Sequence, residues 1–326
     1  MPRLVLADDR QIESVYRESW SLWGAGLTPG DYQAVWEDVR RTAWARQHLS
    51  FFVWLDEQGR VLSSMKVYRP ILRLHGHTSR IHVLGAIFTP RALRRRGHAS
   101  AMIRASVTQA REGGTSLALL FSDIGTRFYE GLGFVPLLAE EQWGRFRNDR
   151  HVAFGGWALR AMRDGDADAI RRAHDASSAR REFGIVRDRG HWEFLWVRSR
   201  SFFSRLDDPD VRQRSWIATR AGCFAGYLVA VEGRGEWNIR EVGAADGNPR
   251  TMATILHLGA VEARRAGLGR YYTWLPPSIS AHLQDWGMRS RTRQRAIPMI
   301  LPMNDAVDVP RLCAPEAAYI PYLDQF

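Results

Sequence analysis

Between Ser79 and Gly114 the chain reads SRIHVLGAIFTPRALRRRGHASAMIRASVTQAREGG, and this stretch limits the available folds more than any other. An apolar run is stopped by Pro90, which cannot donate to a strand ladder. A basic glycine turn follows. From Gly97 to Glu112, residues Ala99, Met102, Ile103, Ser106, Val107 and Ala110 fall on one helical stripe, and Gly113-Gly114 ends it. The next run, SLALLFS, is continuously apolar, as suits a strand covered on both faces. Strand, glycine-led helix and buried strand in succession predict an α/β layer sandwich.

The flanking segments extend that plan. RLVLA reads as a strand, and Asp8 and Asp9 stand where they cap a helix through IESVYRESWSLW. A second helix is predicted over TPGDYQAVWEDVRRTAWARQHL, with Val35, Val39, Ala43 and Ala45 apolar. Two apolar runs separated by Asp56-Glu57-Gln58-Gly59 predict a hairpin. TRFYEGL reads as a short helix closing at Gly133 before a return to strand. From Gly155 the order repeats: GGWALRAMRDGDADAIRRAHDASSARR as strand and helix, WIATRAGCFAGYLVAVEG as a hairpin turning at Gly222, EWNIREVGAAD as a strand, then a helix ending at Gly267 and a further strand. A chain of 326 residues accommodates two such units. They are expected at 1–145 and 155–326, joined by a linker between about Glu140 and Phe154.

Composition narrows the functional classes. Apolar residues are 45% of the chain and thirteen are tryptophans, enough for two cores. No apolar run approaches the roughly 20 residues that cross a bilayer, and MPRLVLADDR carries acids where a secretory leader needs an apolar core, so a cytoplasmic protein without membrane attachment is expected. Cys223 and Cys313 lack metal-site or disulfide spacing and read as buried free thiols; no metal is expected. The net charge of +11 invites a polyanion partner. Lys66, however, is the only lysine among 46 Lys and Arg residues, a skew typical of an arginine-favouring genome. The arginines are scattered beside acids without interleaved aromatics, so nucleic acid is not the expected partner.

Four arginines within Arg91–Arg96 and then Gly97 precede the helix. Gly97 lets a ligand approach the backbone, the first helical amides are free donors at the positive end of the dipole, and Arg94, Arg95 and Arg96 add countercharge. A pyrophosphate suits such a turn; a solvated arginine turn is the bland alternative. No GK[ST] follows and no G-x-G-x-x-G is present, which sets aside the P-loop and dinucleotide patterns.

Arg94-Arg95-Arg96-Gly97-His98-Ala99 matches [QR]-x-x-G-x-[GA], and about 35 residues on comes Phe128-Tyr129-Glu130-Gly131-Leu132-Gly133-Phe134. With these two motifs the first 140 residues or so resemble the GCN5-related N-acetyltransferase (GNAT) superfamily. The resemblance implies that acetyl-CoA lays its pyrophosphate on Arg94, Arg95, Arg96, Gly97, His98, Ala99 and Ser100, and its pantetheine arm along Ala86, Ile87 and Phe88. It implies direct attack of an amine on the thioester, with Tyr129 as the acid that protonates the departing thiolate. A base is also needed. His82, Asp123 and the terminal carboxylate of Phe326 compete for that role. The second unit resembles the same fold without the basic turn, a degenerate tandem copy. The tandem plan is similar to aminoglycoside acetyltransferases of the enhanced intracellular survival type. FSDIG and LSSMKVY look more weakly like fungal lysine N6-acetyltransferases. The expectation is an acetyltransferase of a small amine in a cleft walled by the second unit, with self-association into homo-oligomers left open. A protein amine as acceptor and a non-catalytic acyl-CoA sensor are the alternatives.

Overall fold

The structure, a computed structural model, describes residues 1–146, 154–179, 181–314, 317 and 319–325. Two seven-stranded mixed sheets flanked by helices form it, as the repeated plan predicts. In the first sheet the order is Arg3–Leu6, Leu49–Leu55, Val61–Tyr68, His82–Phe88, Leu117–Ser122, Ile297–Pro302 and Val135–Pro136. In the second it is Trp157–Ala161, Arg212–Arg220, Cys223–Gly233, Glu236–Ala244, Arg270–Thr273, Glu140–Arg145 and Arg289–Thr292.

The sheets exchange strands, which corrects the single break expected between 145 and 155. Glu140–Arg145, expected at the end of the first unit where the linker begins, is a strand that pairs with Arg270–Thr273 and Arg289–Thr292 of the second. Ile297–Pro302 crosses the other way and pairs with all of Leu117–Ser122. A small third sheet, Phe183–Val186 against Ile71–Leu74 against His77–Arg80, joins the halves again. Burying these ladders satisfies edges that two separate units would leave open.

Helix His98–Glu112 covers one face of the first sheet, where Met102, Ile103 and Val107 meet Met65, Val67, Leu84 and Leu120. Each such apolar side chain contributes about 1.5–3 kcal/mol on burial. Helices Asp9–Trp23 and Pro29–Arg41 bury Ile12, Tyr16, Tyr32 and Val35 with Phe51. The second helix is shorter than predicted. Thr42 takes an extended conformation, donates to the Val39 carbonyl and accepts from the Ala45 amide, ending one helix and capping the next, Ala43–His48. The sequence pattern also missed helix Arg189–Arg205, whose Phe194 and Leu195 are buried and whose Ser201 and Arg205 bond Asp38. Tryptophans and phenylalanines lie on several sides of that helix, so it lacks a narrow apolar stripe. Both cysteines are free thiols, but neither is buried: Cys223 is exposed at a hairpin turn and Cys313 is half-buried. Among the described residues no helix is long and apolar enough to cross a membrane.

Candidate active site

Strand His82–Phe88 runs parallel to Leu117–Ser122, but the pairing covers only His82 to Leu84 against Ala118 to Leu120. Beyond Leu84 the strands part. On its other edge the strand carries a bulge: Gly85 faces Lys66 and Phe88 faces Ser64, leaving Ala86 and Ile87 opposite Met65 alone. Ala86 sits at φ +46°, an uncommon conformation for a residue with a Cβ. The Phe88 carbonyl is held at 2.7 Å by Ser63 Oγ, which also meets Thr89 Oγ1. The result is a wedge-shaped gap flanked by the backbone of Gly85, Ala86 and Ile87, with polar groups that the neighbouring strand no longer satisfies.

One turn further on, Arg95 and Gly97 both take left-handed conformations, at φ +63° and +81°. Gly97 caps helix His98–Glu112 with no side chain bonded to the helix amides. The turn is exposed, and the Arg94 Nε donates to the Thr89 carbonyl at 3.1 Å. Free amides, the dipole and three arginines therefore meet at the same end of the sheet as the gap. This geometry fits an extended thiol arm ending in a pyrophosphate.

The equivalent place in the second half is closed. Helix Pro249–Arg265 begins at Asn248, whose side chain accepts from the Arg250 amide, and Pro249 brings no amide hydrogen. Glu236–Ala244 also parts from Arg270–Thr273, beyond Asn238 and Tyr272. There the chain's own tail engages what would be exposed: Arg187 makes paired bonds of 2.7–2.9 Å to Glu241 and to Asp324, all three buried, and Tyr322 lies 4.3 Å from Trp274. Burial works against ionisation of Glu241, yet the Arg187 guanidinium brings its carboxyl down to about 2. The second half is thus degenerate by occupation as well as by loss of the turn.

Tyr129 lies on the short helix Arg127–Glu130, which follows the parted end of Leu117–Ser122. Its ring packs on Phe128 and Phe134 and is 7% exposed. Burial, reinforced by the charge of Asp123, pushes the phenol up to about 12, so it stays protonated and able to donate. Asp123 is exposed and fastened by the Ala296 amide at 2.9 Å. His82 stands apart from this group. It is four positions before Ala86, about 13 Å along a strand. Its Nε2 bonds Ser106 Oγ at 2.8 Å, and burial, helped by Arg69, lowers it to about 4. The ring fastens helix to sheet, away from the bulge at Ala86. Phe326 lies outside the described residues.

The sequence reading missed a cavity under the first two helices, lined by Ile12, Tyr16, Tyr32, Ser64, Lys66 and Ala86 among others. Ala86 belongs to both this cavity and the gap. Outside, an open cleft of about 950 Å³ shares Ile12 and Tyr16 with the cavity and carries Asp9, Glu13 and Glu37 beside Arg40, Arg41 and Arg46. The only signal for this cavity in the sequence was a polar Ser64 and Lys66 alternating with Met65 and Val67 on a central strand.

Residues 11–137 match the acetyltransferase (GNAT) domain family. This segment is a GNAT acetyltransferase domain. The surrounding architecture is shared with solved structures. A GCN5-related N-acetyltransferase from Anabaena variabilis is similar at a TM-score of 0.72 and 12% identity, over 93% of this chain and 73% of that one. Eis1 from Mycobacterium abscessus is similar at 0.59 and 14%, over 93% and 74%. A tandem GNAT protein from the clavulanic acid biosynthesis pathway, solved without AcCoA, is similar at 0.54 and 13%, over 93% and 99%. Among curated proteins none matches the sequence. The matched domain supports N-acyltransferase activity, and GNAT domains take their acyl group from acyl-CoA.

Proposed function

We propose that the chain is an acetyl-CoA-dependent N-acetyltransferase acting on the primary amine of a small molecule: an amino acid, a polyamine or an aminoglycoside-like compound. The observation that carries this reading is the position of Ala86, shared between the gap suited to a thiol arm and an aromatic cavity under the first helices. Asp9, Glu13 and Glu37 in the outer cleft suit a cationic amine on approach. Helix Arg189–Arg205 from the second half backs these helices, which favours a small acceptor over a polypeptide needing an open groove.

In this reading the turn from Arg94 to Ser100 binds the pyrophosphate, and Ala86, Ile87 and Phe88 align the arm through their backbone groups. Bound acetyl-CoA supplies an activated acyl group. Asp123, exposed near the mouth of the gap, passes the acceptor's proton to solvent, and Tyr129 protonates the departing sulfur. The test is thiol release from acetyl-CoA with the purified protein and a panel of amino acids, polyamines, aminoglycosides and short peptides. Release with a small amine is expected. Release with peptides alone would overturn the substrate class, and silence across the panel with acetyl-CoA bound would overturn turnover on these acceptors.

A further inference from the structure

The only lysine of this arginine-rich chain is not a surface residue. Lys66 is 3% exposed, and its Nζ lies over the Trp36 indole, with the Tyr16 and Phe51 rings at 5.7 and 5.5 Å. Among the described residues Nζ has no hydrogen-bond partner, and no carboxylate lines its cavity. Tyr16 and Tyr32 face it from the first two helices, with their phenols pushed up by burial. Arg40 and Glu37 act on Tyr16 from the helix side, and Arg198 reaches Lys66 from Arg189–Arg205. Desolvation first, and then the Arg198 charge, hold this amine well below the usual lysine range. A lysine can be a neutral nucleophile under these conditions, whereas an arginine cannot.

Its position gives that amine a use. Lys66 faces Gly85 across the ladder, next to the bulged Ala86, and both Lys66 and Ala86 line the cavity. Tyr16 Oη and Ser64 Oγ, in the same cavity, are also buried and without hydrogen-bond partners among the described residues. Three buried polar atoms therefore converge on one cavity beside the bulge.

We propose that Lys66 is an internal acyl acceptor, taking the acetyl group from acetyl-CoA when no amine substrate is bound. The proposal rests on the acetyl-CoA reading above. The Nζ lone pair attacks the thioester carbonyl carbon, the C–N bond forms and the C–S bond breaks. The electron pair leaves with sulfur, and the proton lost by nitrogen ends on the thiolate as free CoA thiol. The amide oxygen is then within the reach of two hydroxyl donors, Tyr16 and Ser64. Acetylation removes the amine and adds bulk beside Ala86, so the enzyme brakes itself when acceptor is scarce.

The full-length protein is incubated with acetyl-CoA alone and followed by intact mass and peptide mapping, with binding measured by calorimetry. One acetyl group on Lys66 is expected, none on Lys66→Arg, and slower labelling when a small amine that is turned over is added. Binding without label on Lys66 overturns this proposal and leaves the cofactor reading standing; neither binding nor label overturns both. Label on the amino terminus in place of Lys66 is adventitious chemistry and also overturns it. A second readout needs no CoA. Lysine carrying ¹³C at Cε gives a single resonance in this chain, expected to titrate well below the ordinary lysine range. Titration near about 10.4, the ordinary lysine value, would leave the amine protonated and refute the proposal.

Discussion

Gly97 allows the pyrophosphate assignment to be tested with charge as the only variable. Its φ of +81° and exposed position mean that Asn and Asp are both accommodated: a Cβ there meets no atom within 4 Å. Each pays a similar left-handed strain of about 1–2 kcal/mol. The two variants therefore share volume and backbone cost, and differ by one negative charge at the mouth of the free helix amides. Two unit charges about 4 Å apart interact by about 4 kcal/mol at an effective dielectric of about 20. Solvent at this exposed turn raises the effective dielectric and cuts that to about 2 kcal/mol. Gly97→Asp is expected to bind acetyl-CoA about 30-fold more weakly than Gly97→Asn, by calorimetry at low salt. Melting temperatures of the pair should agree within a degree or two. Equal affinities for the two variants would mean that no phosphate sits over this turn, and the assignment of Arg94 to Ser100 would fall with it.

Tyr129→Phe keeps the ring packed on Phe128 and Phe134 and removes only the proton, so kcat should drop by about 10²–10⁴ while acetyl-CoA affinity holds. Parallel losses of both would assign Tyr129 to packing. His82 is neutral in the fold and lowered to about 4, so the unfolded chain binds the extra proton first as pH falls below about 6.5. Its stabilisation is complete above that pH and fades toward pH 4, at a cost of about 2 kcal/mol between pH 7 and 5. His82→Gln, which can keep the Ser106 bond, should flatten the urea midpoint across that range and leave turnover near wild type; unchanged pH sensitivity would acquit the histidine. Arg187→Met strands two buried carboxylates and should lower unfolding free energy by about 3–5 kcal/mol, read by denaturant titration. A loss under about 1 kcal/mol would show that the tail is not fastened by this cluster.

The local elements were legible because each carries its own physics in sequence. Pro90 and Gly97 bracket a turn for backbone reasons, the apolar stripe of His98–Glu112 follows the helical period, and the Asp56–Gly59 loop closes its hairpin through Asp56. The motif residues from Arg94 to Ala99 and around Tyr129 lie within that local order, so the basic turn and the phenol are both legible without any tertiary contact. The order of strands in space was not legible. Glu140–Arg145 read as the start of a linker and Ile297–Pro302 was assigned to no element, because pairing partners are chosen by long-range register and edge burial, which no local pattern reports.

What the sequence determined by itself was therefore a repeated α/β plan and one uncapped, arginine-rich helix start, since both are properties of neighbouring residues. What only the tertiary structure decided was what each chemical group faces. His82, promising as a base, was turned onto Ser106, and Lys66, unremarkable in its strand, was sealed among aromatic rings beside the bulge. Burial and the nearest charges set whether a side chain is ionised, and both come from segments far away in the chain: Arg198 for Lys66, Arg187 and Asp324 for Glu241.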